Sequence, residues 1–157
     1  MAMPAVDRRV LADLGRALSL ELTAVQQYLT QAVLVETWGD TESADRFRRE
    51  TVEEMQHAER LVNRMIRLGV APGASQVRPA AHAGDLRGLL ILNADLEHQL
   101  VSHYANAFDF CQRIGDSENG AFFHALWQEE RRHGEDLAAW LDSLLPHTNG
   151  LVMRAAV

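Results

Sequence analysis

Two short segments with the same chemistry, Glu54-Met55-Gln56-His57 and Glu130-Arg131-Arg132-His133, recur along this chain. Each is a Glu-x-x-His on a strongly helical run. Positions i and i+3 share a helix face, so each pair aims a carboxylate and an imidazole at one point. Two lone glutamates complete the pattern. Glu97 lies 76 positions after Glu21, as Glu130 does after Glu54 and His133 after His57. The spacing predicts a duplicated helical hairpin and a carboxylate-bridged two-metal site inside an all-α four-helix bundle.

Punctuation sets the helices. Pro4 suits a first helical turn, and apolar spacing then runs to about Glu36, where Trp38-Gly39-Asp40 breaks it. A second stretch runs from about Thr41 to Leu68 and stops at Gly69. Residues 70 to 84, with Pro72, Gly73 and Pro79, carry too little periodicity for a core element and read as one long crossover between helices 2 and 3. The third stretch spans about Asp85 to Arg113. The fourth, capped by Asp116 or Ser117, continues to Leu145 before Pro146. The tail, 146–157, has room only for a short fifth helix. One domain over 1–157, with its bundle at about 5–145, is therefore expected.

Short turns make the first and last pairs antiparallel neighbours, and the long connection can cross the bundle. From Glu21 to the first turn and back to Glu54 the two climbs differ by only about 4–5 Å, so these carboxylates end nearly level. On a helical wheel Glu21 shares its face with Leu14, Leu18, Val25, Tyr28 and Ala32. Glu54 lies with Phe47, Ala58, Leu61 and Met65. Glu97 lies with Leu90, Val101, Tyr104 and Phe108, and Glu130 with Phe123, Leu126, Leu137 and Leu141. All four glutamates sit in the middle of apolar stripes.

An ionised carboxylate in a core is strongly disfavoured unless it is paired, protonated or metal-bound. The inward neighbours include no basic partner for these four. Two divalent cations would neutralise them, and carboxylate plus imidazole suits Fe(II), Mn(II) or Zn(II). Tyr28 and Tyr104 are expected beside the metals. His82, His98, His103, His124 and His147 have no partner pattern and read as surface or interface residues. Trp38 is expected to anchor the first turn, Trp127 to border the core, and Trp140 to face a neighbouring helix.

Composition adds bounds. At 157 residues the chain can bury roughly two-thirds of its unfolded surface. Its single cysteine, Cys111, is expected to be a buried thiol and permits no internal disulfide. No apolar signal core or run of about 20 apolar residues is present, so a soluble cytoplasmic protein without membrane partners is expected. With 22 acidic and 15 basic residues, the net charge of −7 disfavours nucleic-acid binding.

The segments Leu20 to Tyr28, Glu53 to Arg60, Asp95-Leu96-Glu97 and Glu129 to His133 resemble bacterioferritin, of the ferritin-like di-iron carboxylate superfamily, with the spacing between them. The resemblance covers about residue 7 to 145. It implies Glu21 and His57 on one iron, Glu97 and His133 on the other, and Glu54 and Glu130 bridging. These six would also be catalytic. It further implies a ferroxidase that oxidises Fe(II) with O2 or H2O2 and stores the ferric product in a hollow homo-oligomer, a 24-subunit shell, served by a ferredoxin-type reductant. Met55 matches the family's haem ligand, which pairs with its symmetry mate across a two-fold interface and holds haem b. Met55 also falls outside the core face, on a second stripe with Val52, Val62 and Ile66 interrupted by Glu59.

The sequence departs from the family in places. Arg49 stands where some members carry a histidine for an inner-wall iron, Leu61 and Asp136 replace aromatics, and the tail is short. The rival reading is a small di-iron redox enzyme of the rubrerythrin or oxygenase type, without a storage shell. The lack of a Cys-x-x-Cys segment weighs against rubrerythrin itself.

Overall fold

The computed structural model describes residues 5–144. They form four long helices, α1 (Arg8–Thr37), α2 (Thr41–Arg67), α3 (Leu86–Ile114) and α4 (Ser117–Ser143), with no strand among the described residues. Each starts at an aspartate. The side chains of Asp7, Asp40, Asp85 and Asp116 accept the amides of Arg9, Ser43, Gly88 and Asn119 respectively. Such a cap satisfies an orphan donor and sets negative charge at the positive helix end, worth about 1 kcal/mol. The first helix thus starts later than Pro4 suggests. Asp7 is its start signal, while Pro4 itself, like the expected fifth helix at 146–157, lies outside the described residues.

The duplication extends to the turns. Gly39 and Gly115, again 76 positions apart, take φ of 84° and 76°, a left-handed conformation that favours glycine. Asp40 N–H returns to the Val35 carbonyl at 3.0 Å, and Asp116 N–H to the Cys111 carbonyl at 2.9 Å. Each turn therefore ends one helix and supplies the cap of the next. Trp38 does not anchor its turn by burial. Its ring is 43 % exposed, and it is the backbone N–H that caps α1.

α1 packs along α2, α3 along α4, and α1 also touches α3. Two apolar clusters form the core, one centred on Leu14, Leu61, Leu100 and Phe123, the other on Val35, Phe47, Leu90 and Leu137. Along α2 and α4, Glu54 and Glu130 fall between residues of the two. Cys111 is fully buried, Trp127 packs against the first cluster, and Trp140 meets Phe47 of α2 at 5.2 Å.

The crossover has no regular secondary structure over 70–83, but polar side chains on α1 hold it. Gln76 N–H donates to Ser19 Oγ and Arg78 N–H to Thr23 Oγ1, both at 3.2 Å. Ala81 N–H donates to Gln27 Oε1, and the Gln31 amide donates back to the Ala81 carbonyl, both at 3.3 Å. These α1 residues recur every four positions, so they line one face. Gln27 also donates to Asn93 of α3 at 2.8 Å, and Asn93 to Gln31 at 2.6 Å. The result is a buried ring of amides joining α1, α3 and the crossover.

Candidate metal centre

Glu21, Glu54, Glu97 and Glu130 each come from a different helix, and all are buried, as is His57. His57 Nδ1 lies 2.6 Å from Glu130 Oε1, 3.4 Å from Glu54 Oε2 and 3.6 Å from Glu21 Oε1. His133 repeats the arrangement from the other side. Its Nδ1 is 2.7 Å from Glu54 Oε1 and 3.4 Å from Glu130 Oε2. Each histidine therefore reaches across to the other motif's glutamate, and the two rings stack with centroids 5.4 Å apart. One ligand atom from each of Glu54, His57, Glu130 and His133 fits within 4.8 Å of all the others.

The lone glutamates are held by tyrosines. Tyr28 donates to Glu97 at 2.5 Å and Tyr104 to Glu21 at 2.6 Å, again related by the offset of 76. Burial, and then the charges of Glu97 on Tyr28 and of Glu21 on Tyr104, keep both phenols well above their usual pKa, so they remain donors. Glu97 lines a cavity with His133, Glu50, Glu53 and Asp136.

Electrostatics show a site short of positive charge. Burial, and then the neighbouring Glu21 charge, push Glu54 up to about 8 and Glu130 to about 7. Burial and Glu130 raise Glu97. Burial would also raise Glu21, but the His57 ring beside it, with other neighbours including the Tyr104 donor, leaves it lowered. Burial alone would depress both imidazoles. Instead, the hydrogen bond to Glu130 and the carboxylates around it raise His57, and the close Glu130 and Glu54 carboxylates carry His133 up to about 11. Protons shared among six side chains thus do the neutralising that cations could do.

The donor set fits such cations. Both oxygens of Glu54 and one each of Glu21, Glu97 and Glu130 are buried without a hydrogen-bond partner, the close approach of His133 to Glu54 being poorly aligned. Buried acceptors left bare on four converging carboxylates are what two hard cations would satisfy.

Glu53, which sequence reasoning did not single out, has a carboxylate oxygen 2.7 Å from His133 Nε2. It fixes the ring so that Nδ1 faces the site. The signal was its place directly before Glu54, on the side toward α4. Among the histidines expected at the surface or at interfaces, His98 and His82 are exposed. His103 and His124 are not. His103 donates from Nε2 to the Asp13 carbonyl of α1 at 2.8 Å, and His124 lies between Phe108 and Trp127. Both are half-buried because α1 and α3 cover them.

Met55 is 49 % exposed, beside Val52 at 57 % and Ile66 at 62 %, and Glu59 of the same stripe is exposed too. Leu29 and Val33 of α1 are likewise about half exposed. Met55, Val52 and Ile66 of that stripe are thus not covered by the described residues, whereas Val62 packs against the first core cluster. No helix of the described residues is long and apolar enough to cross a membrane.

Four long helices carrying inward glutamates and paired Glu-x-x-His motifs define a ferritin-like protein, and residues 11–145 match the family model for the ferritin-like domain. The chain is 32 % identical over 136 residues to the bacterioferritin of Brucella melitensis, covering 87 % of this chain and 84 % of that one. It is 32 % identical over 127 residues to the bacterioferritin of Rhodobacter capsulatus, covering 81 % and 79 %. The solved structure of a Rhodobacter capsulatus bacterioferritin, with a metal-free dinuclear site and haem iron in a special position, superposes with a TM-score of 0.84 at 30 % identity, covering 89 % and 88 %. The chain belongs to the bacterioferritin family. Iron storage is that family's role, and di-iron and haem are its cofactors.

Proposed function

We propose that this chain is the subunit of an iron-storing ferroxidase. The observation that carries the reading is the convergence of Glu54, His57, Glu130 and His133, with bare buried oxygens on all four glutamates. Fe(II) is the substrate. Glu21 and His57 serve one iron position, Glu97 and His133 the other, and Glu54 and Glu130 reach both. Two Fe(II) ions give up two electrons to one H2O2, which takes up two protons to leave two waters; O2 is the alternative oxidant. The carboxylates hold negative charge against the rising metal charge, and the phenols of Tyr28 and Tyr104 steady Glu97 and Glu21 by donating to them. As iron binds, the imidazoles and carboxylates release their shared protons.

The ferric product is stored in a hollow homo-oligomer, read as a 24-subunit cytoplasmic shell with a ferredoxin-type reductant. The outward Met55 stripe supports a two-fold contact in which two copies of Met55 hold haem b; in a single chain this thioether has only one face of a haem to offer. Bound there, the haem would supply a one-electron centre on the shell wall. The deciding experiment follows anaerobically loaded protein, at two Fe(II) per chain, after exposure to oxidant, with size-exclusion chromatography alongside. Rapid oxidation in a large hollow assembly supports the reading. Oxidation by an oligomer of a few chains would favour the small redox enzyme instead.

A further inference from the structure

The duplicated hairpin gives the centre two iron positions with identical ligands, but the residues just outside them do not match. On the His133 side, Nε2 lies 2.7 Å from a carboxylate oxygen of Glu53. The counterpart of Glu53 by the offset of 76 is Glu129, which should serve His57 in the same way. It does not. Glu129 is paired with Arg60 Nη1 at 2.5 Å, and the Arg60 counterpart in the other half is Asp136, which leaves Glu53 free for His133. No partner of His57 Nε2 is found among the described residues.

A second asymmetry points the same way. Tyr28, which holds Glu97, is flanked on α1 by Gln27 and Gln31, both bonded to Asn93 one turn before Glu97 on α3. The counterparts of these three residues in the other half are His103, Ala107 and Ala17, so Tyr104 and Glu21 have no amide ring beside them.

Building on the two-iron reading above, we propose that the two positions are unequal, with the Glu97/His133 position the tighter, and that Arg60 is the positioning residue that makes them so by withholding Glu129 from His57. An imidazole whose far nitrogen donates to a carboxylate is a better-oriented and more basic ligand. Loss of such a partner costs about tenfold or more in metal affinity. One cavity is lined by His133 and Glu97 without His57, so a cation arriving through it meets the tighter position first; a second is lined by both histidines.

The test uses the whole protein and Co(II) alone. Crystals are equilibrated anaerobically with one Co(II) per chain, and anomalous scattering gives the occupancy beside each histidine. A tenfold difference in affinity gives, at one cation shared between two independent positions, about threefold more occupancy beside His133 than beside His57. In Arg60→Gln, which frees Glu129, the two should come near to equal. In Glu53→Gln the preference should shrink or reverse. Both substitutions are at partly exposed side chains, so the fold is retained. Equal occupancies in the unmodified protein, or a ratio that Arg60→Gln leaves unchanged, overturn the inference. Co(II) at neither position would instead overturn the two-iron reading itself.

Discussion

His57 Nδ1 lies 2.6 Å from Oε1 of Glu130, a residue 73 positions away on another helix. The two motifs do not form separate sites; each imidazole is completed by the other motif's carboxylate. Glu54, at the centre of this exchange, touches both histidines.

Glu54→Ala is therefore expected to abolish rapid Fe(II) oxidation, by more than the roughly 10–100-fold that loss of an outer partner costs. Stopped-flow absorbance in air measures it. Far-ultraviolet circular dichroism should stay helical, because removing one of four crowded carboxylates relieves repulsion in the metal-free protein. Unchanged oxidation would remove Glu54 from the centre.

Most of this arrangement could be read from the chain. The convergence of Glu54, His57, Glu130 and His133 was legible because side chains that share a helix face obey a period, and duplication wrote that period twice. Asp116 was legible as a helix start beside a glycine. The polar ladder Ser19, Thr23, Gln27 and Gln31 was not. Its partners are backbone groups of a segment with no periodicity of its own, so nothing local pairs them. Glu53 escaped for a different reason: side chains around the metal ligands are chosen by the neighbouring helix, and its partner lies 80 positions away. The contact of His103 could not be named from the chain because its acceptor is a carbonyl, which any residue supplies.

Met55→Leu keeps the size and apolarity of the exposed stripe but removes the thioether. The variant is expected to lose haem absorbance while oxidising Fe(II) as before. An optical spectrum of the reduced and oxidised protein checks this, with non-haem iron measured on the same sample. Full haem content in the variant would exclude Met55 as the ligand.

His103 gives an acid-sensitive contact away from the iron centre. Burial lowers its pKa from 6.5, outweighing the hydrogen bond to the Asp13 carbonyl and the Asp13 charge, with Arg16 and Arg9 adding to the lowering. A histidine whose folded pKa lies below its unfolded value contributes full stability above the unfolded value and loses it as pH falls below about 6.5. His103→Gln should therefore flatten the decline of Tm between about pH 7.5 and 5 relative to the unmodified protein. Parallel declines in the two proteins would refute it.

Gly39 and Gly115 hold the same left-handed turn at opposite ends of the bundle, and nothing lies within 4 Å of where a Cβ would stand at either. The cost of alanine is then conformational only, about 1–2 kcal/mol at each position. The two turns share no partners, so the double substitution should cost the sum within a few tenths of a kcal/mol. Urea unfolding of the two single variants and the double variant measures the comparison.

The amide ring of Gln27, Asn93 and Gln31 makes the crossover part of the core. Asn93 is fully buried and is the only member on α3, so Asn93→Leu strands two buried groups at once, the Gln27 donor and the Gln31 acceptor. Each orphan costs about 1–3 kcal/mol, which predicts a loss of roughly 2–6 kcal/mol. Replacing Gln27, Gln31 and Asn93 together by Leu, Met and Leu removes the donors along with the acceptors and should recover much of that loss. It would still leave Ala81 without its two partners on α1. Hydrogen exchange separates the effects. The Ala81 amide should exchange quickly in the triple variant even where global stability is restored, whereas the Gln76 amide, held by Ser19, should keep its protection. Protection lost equally at both amides would mean that the crossover releases as one unit and that the ladder does not hold it rung by rung.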